Sequence, residues 1–243
     1  MPSLVTLYQQ EMHGNVGFFA NWFPGDPLEI GDVGLLENGR FRRLTTLKEL
    51  NIECISSEGQ NKQEMQYTST QGTNVKASLG GALTAGTKGE ITIDFSREGA
   101  FVFNASGLTT KRMENRLSVG NQILDTYEKK NWERNWVVIE SLYVADCATI
   151  IVSEDHSSSI VLQASADIPI PSISLSDPKL DLKVTSTRGK LIHIVGEKGL
   201  HPLYACFKLK DTWFSQPAIH PVRGASAREL PLSRVNIYEL LSS

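Results

Sequence analysis

The stretch from Val75 to Ser106, VKASLGGALTAGTKGEITIDFSREGAFVFNAS, constrains the fold most, because its residues alternate between apolar and polar. Ile91, Ile93 and Phe95 point one way while Glu90, Thr92 and Asp94 point the other. Phe101, Phe103 and Ala105 repeat the pattern, as do Val75, Ala77 and Leu79 against Lys76 and Ser78. A period of two is the strand period. Gly80-Gly81, Gly86, Gly89 and Gly99 lie between the runs and suit turns or bulges. The expectation is a hairpin or meander with one apolar and one polar face. Such a segment is either a half-buried sheet or one able to re-pair inside a membrane.

Around it the chain reads as an α+β protein: one domain with a twisted, largely antiparallel sheet, a few flanking helices and an extended C-terminal tail. Ser3 to Met12 has helical spacing, with Ser3 as cap and Gly14 as stop. Phe18, Phe19, Trp22 and Phe23 cluster ahead of the turn Pro24-Gly25-Asp26-Pro27. They are core aromatics or, alternatively, a membrane anchor. Leu28–Leu36 and Phe41–Leu44 flank an Asn-Gly turn. Thr46-x-x-Glu49 is a capping-box pattern opening one turn that carries Leu47 and Leu50.

Thr110 to Lys130 reads as the longest helix, capped by Thr110. Its apolar face would hold Met113, Leu117, Gly120, Ile123, Leu124 and Tyr127. Trp136–Val144 is apolar on nearly both faces and reads as a central strand. Cys147–Val152 and Ile160–Ala166 continue it as long antiparallel strands. Leu180–Thr185 and Lys190–Val195 flank a second hairpin turn, and Leu203–Leu209 is a further strand. After Trp213 the character changes to prolines and small residues, followed by a run from Val235 to Leu241 with apolar spacing. The expected organisation is a body over 1–212 and a docking or autoinhibitory tail over 213–243, with Val235, Ile237, Leu240 and Leu241 as docking residues.

Composition excludes several classes. The chain has 243 residues, enough for a real core, and a net charge of −3 with no basic block. No nucleic-acid partner is expected, since phosphate binding needs a cationic patch. Cys54, Cys147 and Cys206 form no C-x-x-C and read as free thiols of a cytosolic protein. No secretory signal and no run of spanning-helix length is visible. Any membrane action would be peripheral or through strands, which need roughly 9–11 alternating residues.

Catalytic chemistry has no clear carrier, so the chain is expected not to be an enzyme. His13, His156, His193, His201 and His220 are scattered, without metal-ligand spacing. Asp155-His156-Ser157 offers a base beside a nucleophile, but neighbours in one turn rarely converge as triads do. The glycines before Lys88 do not make a phosphate loop. Neither a catalytic residue, a metal nor a cofactor is expected.

Three segments carry a family resemblance. They are PLEIGDVGLLENGRFRRLTTLKEL (27–50), WVVIESLYVADCATIIVS (136–153) and GEKGLHPLYACFKLKDTW (196–213). In order and size the layout resembles the bacterial gasdermins, pore-forming proteins held inactive by a short C-terminal segment. The resemblance implies a protein that is cytoplasmic while inactive. An activating protease would cut within the tail, at Arg223, Arg228 or Arg234. The 75–106 stretch would then rearrange, oligomerise with other copies and insert into membrane lipid, permeabilising the inner membrane in antiphage defence. Many bacterial members carry a lipidated cysteine near the N-terminus. The first cysteine here is Cys54, a departure from that pattern. The alternative is a soluble, non-enzymatic binding or scaffold protein that partners another effector.

Overall fold

A computed structural model describes residues 4–37, 39–78, 89–165, 174–209 and 232–235. Along the chain run α1 (Leu4–Val16), β1 (Phe19–Ala20), β2 (Asp32–Glu37), β3 (Arg40–Thr46) and β4 (Ser56–Glu58). They are followed by β5 (Gln63–Thr68), β6 (Thr73–Ser78), β7 (Glu90–Phe95), β8 (Phe101–Met113) and α2 (Arg116–Glu128). Then come β9 (Val137–Ala145), β10 (Cys147–Ser153), β11 (Ser158–Gln163), β12 (Lys183–Arg188), β13 (Leu191–Glu197), β14 (Leu200–Leu209) and β15 (Leu232–Arg234). The fold is α+β and its sheets are mostly antiparallel, as the alternation predicts. The chain divides into two compact units. One holds Met1–Pro27, Glu58–Thr110 and Tyr143–Tyr204; the other holds Leu28–Ser57, Lys111–Leu142 and Ala205–Ser243. The expected boundary at 212/213 lies outside the described residues.

In the first unit β6 and β7 form the expected antiparallel pair, from Thr73↔Phe95 to Ser78↔Glu90. β8 does not continue that meander. It pairs with β5 and β10, whereas β7 pairs with β11. The same split recurs twice. β10 pairs with β13 while β11 pairs with β12, so neither β10–β11 nor β12–β13 is the hairpin that sequence adjacency predicts. Each pair is one run of chain that turns a corner from one sheet into another. The corners interlock through backbone hydrogen bonds: Ser153 N donates to Ala100 O (2.8 Å), Gly99 N to Ser153 O (2.9 Å) and Glu154 N to Lys190 O (2.9 Å). Ile91, Ile93, Phe95, Val102, Ile151 and Ile160 then share one buried cluster. Because β8 is covered on both sides, Phe101 to Ser106 are all buried, and the one-sided pattern expected of it does not hold.

α1 runs past Gly14 to Val16. It stops at Gly17, whose φ of +69° suits a residue without Cβ and whose N–H donates to His13 O (2.8 Å). The expected cap Ser3 lies outside the described residues. The helix is pinned by polar side chains. Gln9 exchanges two hydrogen bonds with the Ala20 backbone (2.5 and 2.9 Å), and Glu11 accepts from Thr70 N (2.9 Å) and Arg97 (3.2 Å).

In the second unit β2 pairs with β3 and with β9, where Val33 lies opposite Val138. The capping-box pattern closes a single turn: Thr46 N donates to Glu49 Oε2 (3.1 Å) and Glu49 N to Thr46 Oγ1 (3.1 Å). The helix expected from Thr110 begins only at Arg116, because Thr110 to Met113 extend β8. The Asn115 side chain does not cap that helix. It donates to Glu53 O (2.8 Å) and accepts from Ile55 N (2.8 Å) instead. The later start moves the buried face to Val119, Gly120 and Ile123, leaving Leu117 50% exposed. Val33, Leu47, Val119, Ile123, Val138 and Phe207 are among the residues of this unit's core.

Candidate functional site: the docked C-terminal strand

β9 supplies the first piece of the site. Its run Val137-Val138-Ile139-Glu140-Ser141-Leu142 is buried throughout, which leaves a carboxylate, Glu140, only 5% exposed. A buried charge needs a partner, because leaving water costs several kcal/mol per ion. Two guanidiniums supply it. Arg116, at the first position of α2, places Nη1 3.1 Å from Glu140 Oε2. Arg234, on β15, donates from Nε to Glu140 Oε1 at 3.0 Å.

β15 is held by its backbone as well. Leu209 lies opposite Leu232, Lys208 opposite Ser233 and Phe207 opposite Arg234, and Val235 N donates to Cys206 O (3.0 Å). Side chains follow the period of two. Leu232 and Arg234 share one face: Leu232 is buried in the core with Phe207 and Leu209, and Arg234 reaches Glu140. The Arg116 guanidinium lies 5.6 Å from the centre of the Phe207 ring, a cation–π geometry. The C-terminal segment is therefore read in three ways at once, by a strand edge, an apolar slot and a carboxylate.

Of the residues expected to dock, Val235 is buried, while Ile237, Leu240 and Leu241 lie outside the described residues. Leu232 was not among them, although it enters the core. Arg234, read from the sequence as a cut site, sits in a paired strand and donates to Glu140. Arg223 and Arg228 lie outside the described residues. Glu140 and Arg116 were missed altogether. The one available signal was a lone carboxylate inside the most apolar strand, which demands a cation from elsewhere.

The hairpin residues fall into two environments. Ile91, Ile93 and Phe95 are buried, as are Phe101 and Phe103, which belong to β8. Val75 and Ala77, directly opposite Ile93 and Ile91, are exposed because β6 is the outermost strand in the order β12-β11-β7-β6. On the other face Lys76 bonds Asp94 (3.0 Å). Leu79 lies outside the described residues. In the aromatic cluster Phe18, Phe19 and Trp22 are buried, and Trp22 and Phe101 each meet the Tyr8 ring edge-on. Phe23, 51% exposed, is the one member available as an anchor in this state.

Elsewhere, burial raises the pKa of Asp32, only partly offset by the Glu29 N–H (2.9 Å) and Arg43 (3.4 Å). Burial also pushes up the thiols of Cys54 and Cys147. Among the described residues no group of three or more His, Cys, Asp or Glu is placed to hold a metal ion. No described helix is long and apolar enough to cross a membrane.

No protein-family model matches the chain, and no curated protein matches it. Among solved structures it is similar to the gasdermin A3 membrane pore determined by cryo-EM. That similarity has 11% sequence identity and a TM-score of 0.32, over 86% of this chain and 91% of the other.

Proposed function

We propose that the chain is a pore-forming protein held inactive by its C-terminal segment. The observation that carries this reading is the docking of residues 232–235 on the edge of β14, with Leu232 in the core and Arg234 on Glu140. A terminal strand fastened along a sheet edge is a removable restraint. The sequence resemblance to bacterial gasdermins gives that restraint its purpose. While inactive, the protein stays in the cytoplasm. An activating protease cuts between the body and the docked strand. Freed copies oligomerise, and the β6–β7 region opens and enters membrane lipid at the inner membrane, as a defence against phage. No catalytic residue, cofactor or nucleic acid takes part.

The hairpin has the alternation of faces this requires; its described strands are six residues each, and spanning strands of roughly 9–11 require them to lengthen on insertion. Its two strands place Val75 and Ala77 on the face of Ile93 and Ile91, and Lys76 bonds Asp94 on the other. A transmembrane hairpin needs one apolar and one wet face. In the resting state the apolar face of β7 is turned into the core, so insertion requires β7 to leave β11.

The test is dye release from liposomes. A full-length protein carrying a site-specific protease sequence between residues 213 and 231 is compared before and after cutting. Leakage only after cutting is expected. Equal silence of both forms, with the cut form diluted until its tail has left the body, sinks the reading. A stable complex with another protein, without leakage, favours the soluble binding or scaffold protein.

A further inference from the structure

Among the described residues, the contacts that fasten the C-terminal strand lie at residues 232–235. A cut anywhere between residues 210 and 231 therefore leaves all of them in place. What such a cut removes is the covalent tether, and with it the raised effective concentration that a tether gives.

We infer that the β14 edge, together with the Leu232 slot and Glu140, is a reversible binding site for an extended peptide reading Leu-x-Arg-Val. The site accepts that peptide in trans, from the cut tail or from the tail of a second copy. The inference rests on the reading of the tail as a restraint and does not depend on the membrane step.

Three features define the ligand. The edge of β14 takes an antiparallel strand, with Phe207, Lys208 and Leu209 opposite its three residues. Strand addition of this kind supplies affinity through the main chain, and alternate side chains supply specificity. The slot shared with Phe207 and Leu209 takes a leucine. The Glu140 carboxylate takes a guanidinium two residues further on, at 3.0 Å.

Charge explains why the site can empty. Stripping a buried carboxylate of its partner is strongly unfavourable. Here Arg116 stays on Glu140 after the strand departs, so the vacated body keeps a paired carboxylate. While docked, two guanidiniums share one carboxylate and repel each other, which weakens the hold of Arg234. The Arg234 side chain is also half exposed, so solvent screens its ion pair. The result is a reader of arginine that releases it. Activation then takes two steps, cutting and dissociation, and the second responds to dilution and to free peptide.

The experiment uses the full-length protein with a protease site between residues 213 and 229. After cutting at high concentration, size-exclusion chromatography asks whether the tail travels with the body. A fluorescent synthetic peptide of residues 229–243 is then exchanged into the cut protein and followed by anisotropy. Co-elution and saturable exchange are expected, with a peptide carrying Arg234→Ala binding roughly 5-fold more weakly. That variant lies in the peptide, so the fold of the body is not at risk. On a Glu140→Gln body the two peptides should differ much less. The inference is overturned if the tail separates at once and no exchange is seen, or if both peptides bind the wild-type body equally. Leakage on cutting without peptide binding overturns this inference and leaves the pore reading standing. Binding with no leakage even after dilution has released the tail leaves this inference standing and overturns the pore reading.

Discussion

The Arg234 guanidinium donates to the buried Glu140 carboxylate at 3.0 Å, while Arg116 holds the other oxygen at 3.1 Å. Either arginine alone keeps Glu140 paired. Arg234→Ala should therefore cost only about 1 kcal/mol, because that side chain is half exposed. Arg116→Ala should cost about 2 kcal/mol, because the Phe207 contact goes as well. The double variant should cost more than the two together, since it leaves a buried carboxylate with neither cation. Urea denaturation of the four proteins measures this. Simple additivity would show that the cluster does not act as a unit.

Val75 and Ile93 lie directly opposite one another and share a face, yet Ile93 is fully buried and Val75 is 39% exposed. Ile93→Ala should lose about 2–4 kcal/mol. Val75→Ala should lose less than about 1 kcal/mol, having little burial to forfeit. Thermal or chemical denaturation of both variants checks the contrast. Equal losses would mean that β6 is covered in solution.

Gly34 stands at a register shift in β2, where an added Cβ would lie 2.1 Å from the carbonyl oxygen of Arg42. That neighbour is backbone and cannot step aside cheaply. Gly34→Ala should cost about 2 kcal/mol or more through strain in the β2–β3 pair. Gly14, inside α1, has nothing within 4 Å of an added Cβ. Gly14→Ala should stabilise by about 0.5–1 kcal/mol, since alanine gives up less freedom on forming a helix. Opposite signs in the two melting temperatures are the expected outcome.

The folded pKa of Asp32 lies above its unfolded value, with burial as the main cause. The folded state therefore binds this proton more tightly. Its stabilising contribution is complete below the unfolded pKa and is lost as the pH rises through the folded one. At neutral pH the charged carboxylate is a net cost. Asp32→Asn should gain on the wild type as the pH climbs from acid to neutral, flattening the stability curve. Melting temperatures across that range test the sign. A wild-type advantage that widens with pH would reverse the assignment.

Much of the secondary structure is legible in the residues. Alternation from Glu90 to Phe95 marks β7, the Thr46–Glu49 spacing produces its reciprocal hydrogen bonds, and the apolar run through Val138 marks a buried strand. Thr110 to Met113 was misread because helical spacing and strand alternation both fit a short run. Pairing with β4 decided the matter: Gly59 N donates to Thr110 O at 2.8 Å. The apolar spacing after Trp213 led to the expectation of a docking tail; of its expected residues Val235 is buried and the others lie outside the described residues. The tail's recognition chemistry was not legible, because Arg116, Glu140 and Arg234 lie far apart in the chain and only folding brings them together.

By itself, then, the sequence determined where most of the strands run and turn, and that Leu232 and Val235 are side chains worth burying. These are properties of period and turn chemistry, set within a few residues. The tertiary structure alone decided that β7 and β8 part at a corner, that Ile93 is covered while Val75 is not, and that Glu140 is shared by two arginines. Partner choice and burial are long-range outcomes. They depend on which other strand or side chain arrives, and no local pattern encodes that arrival.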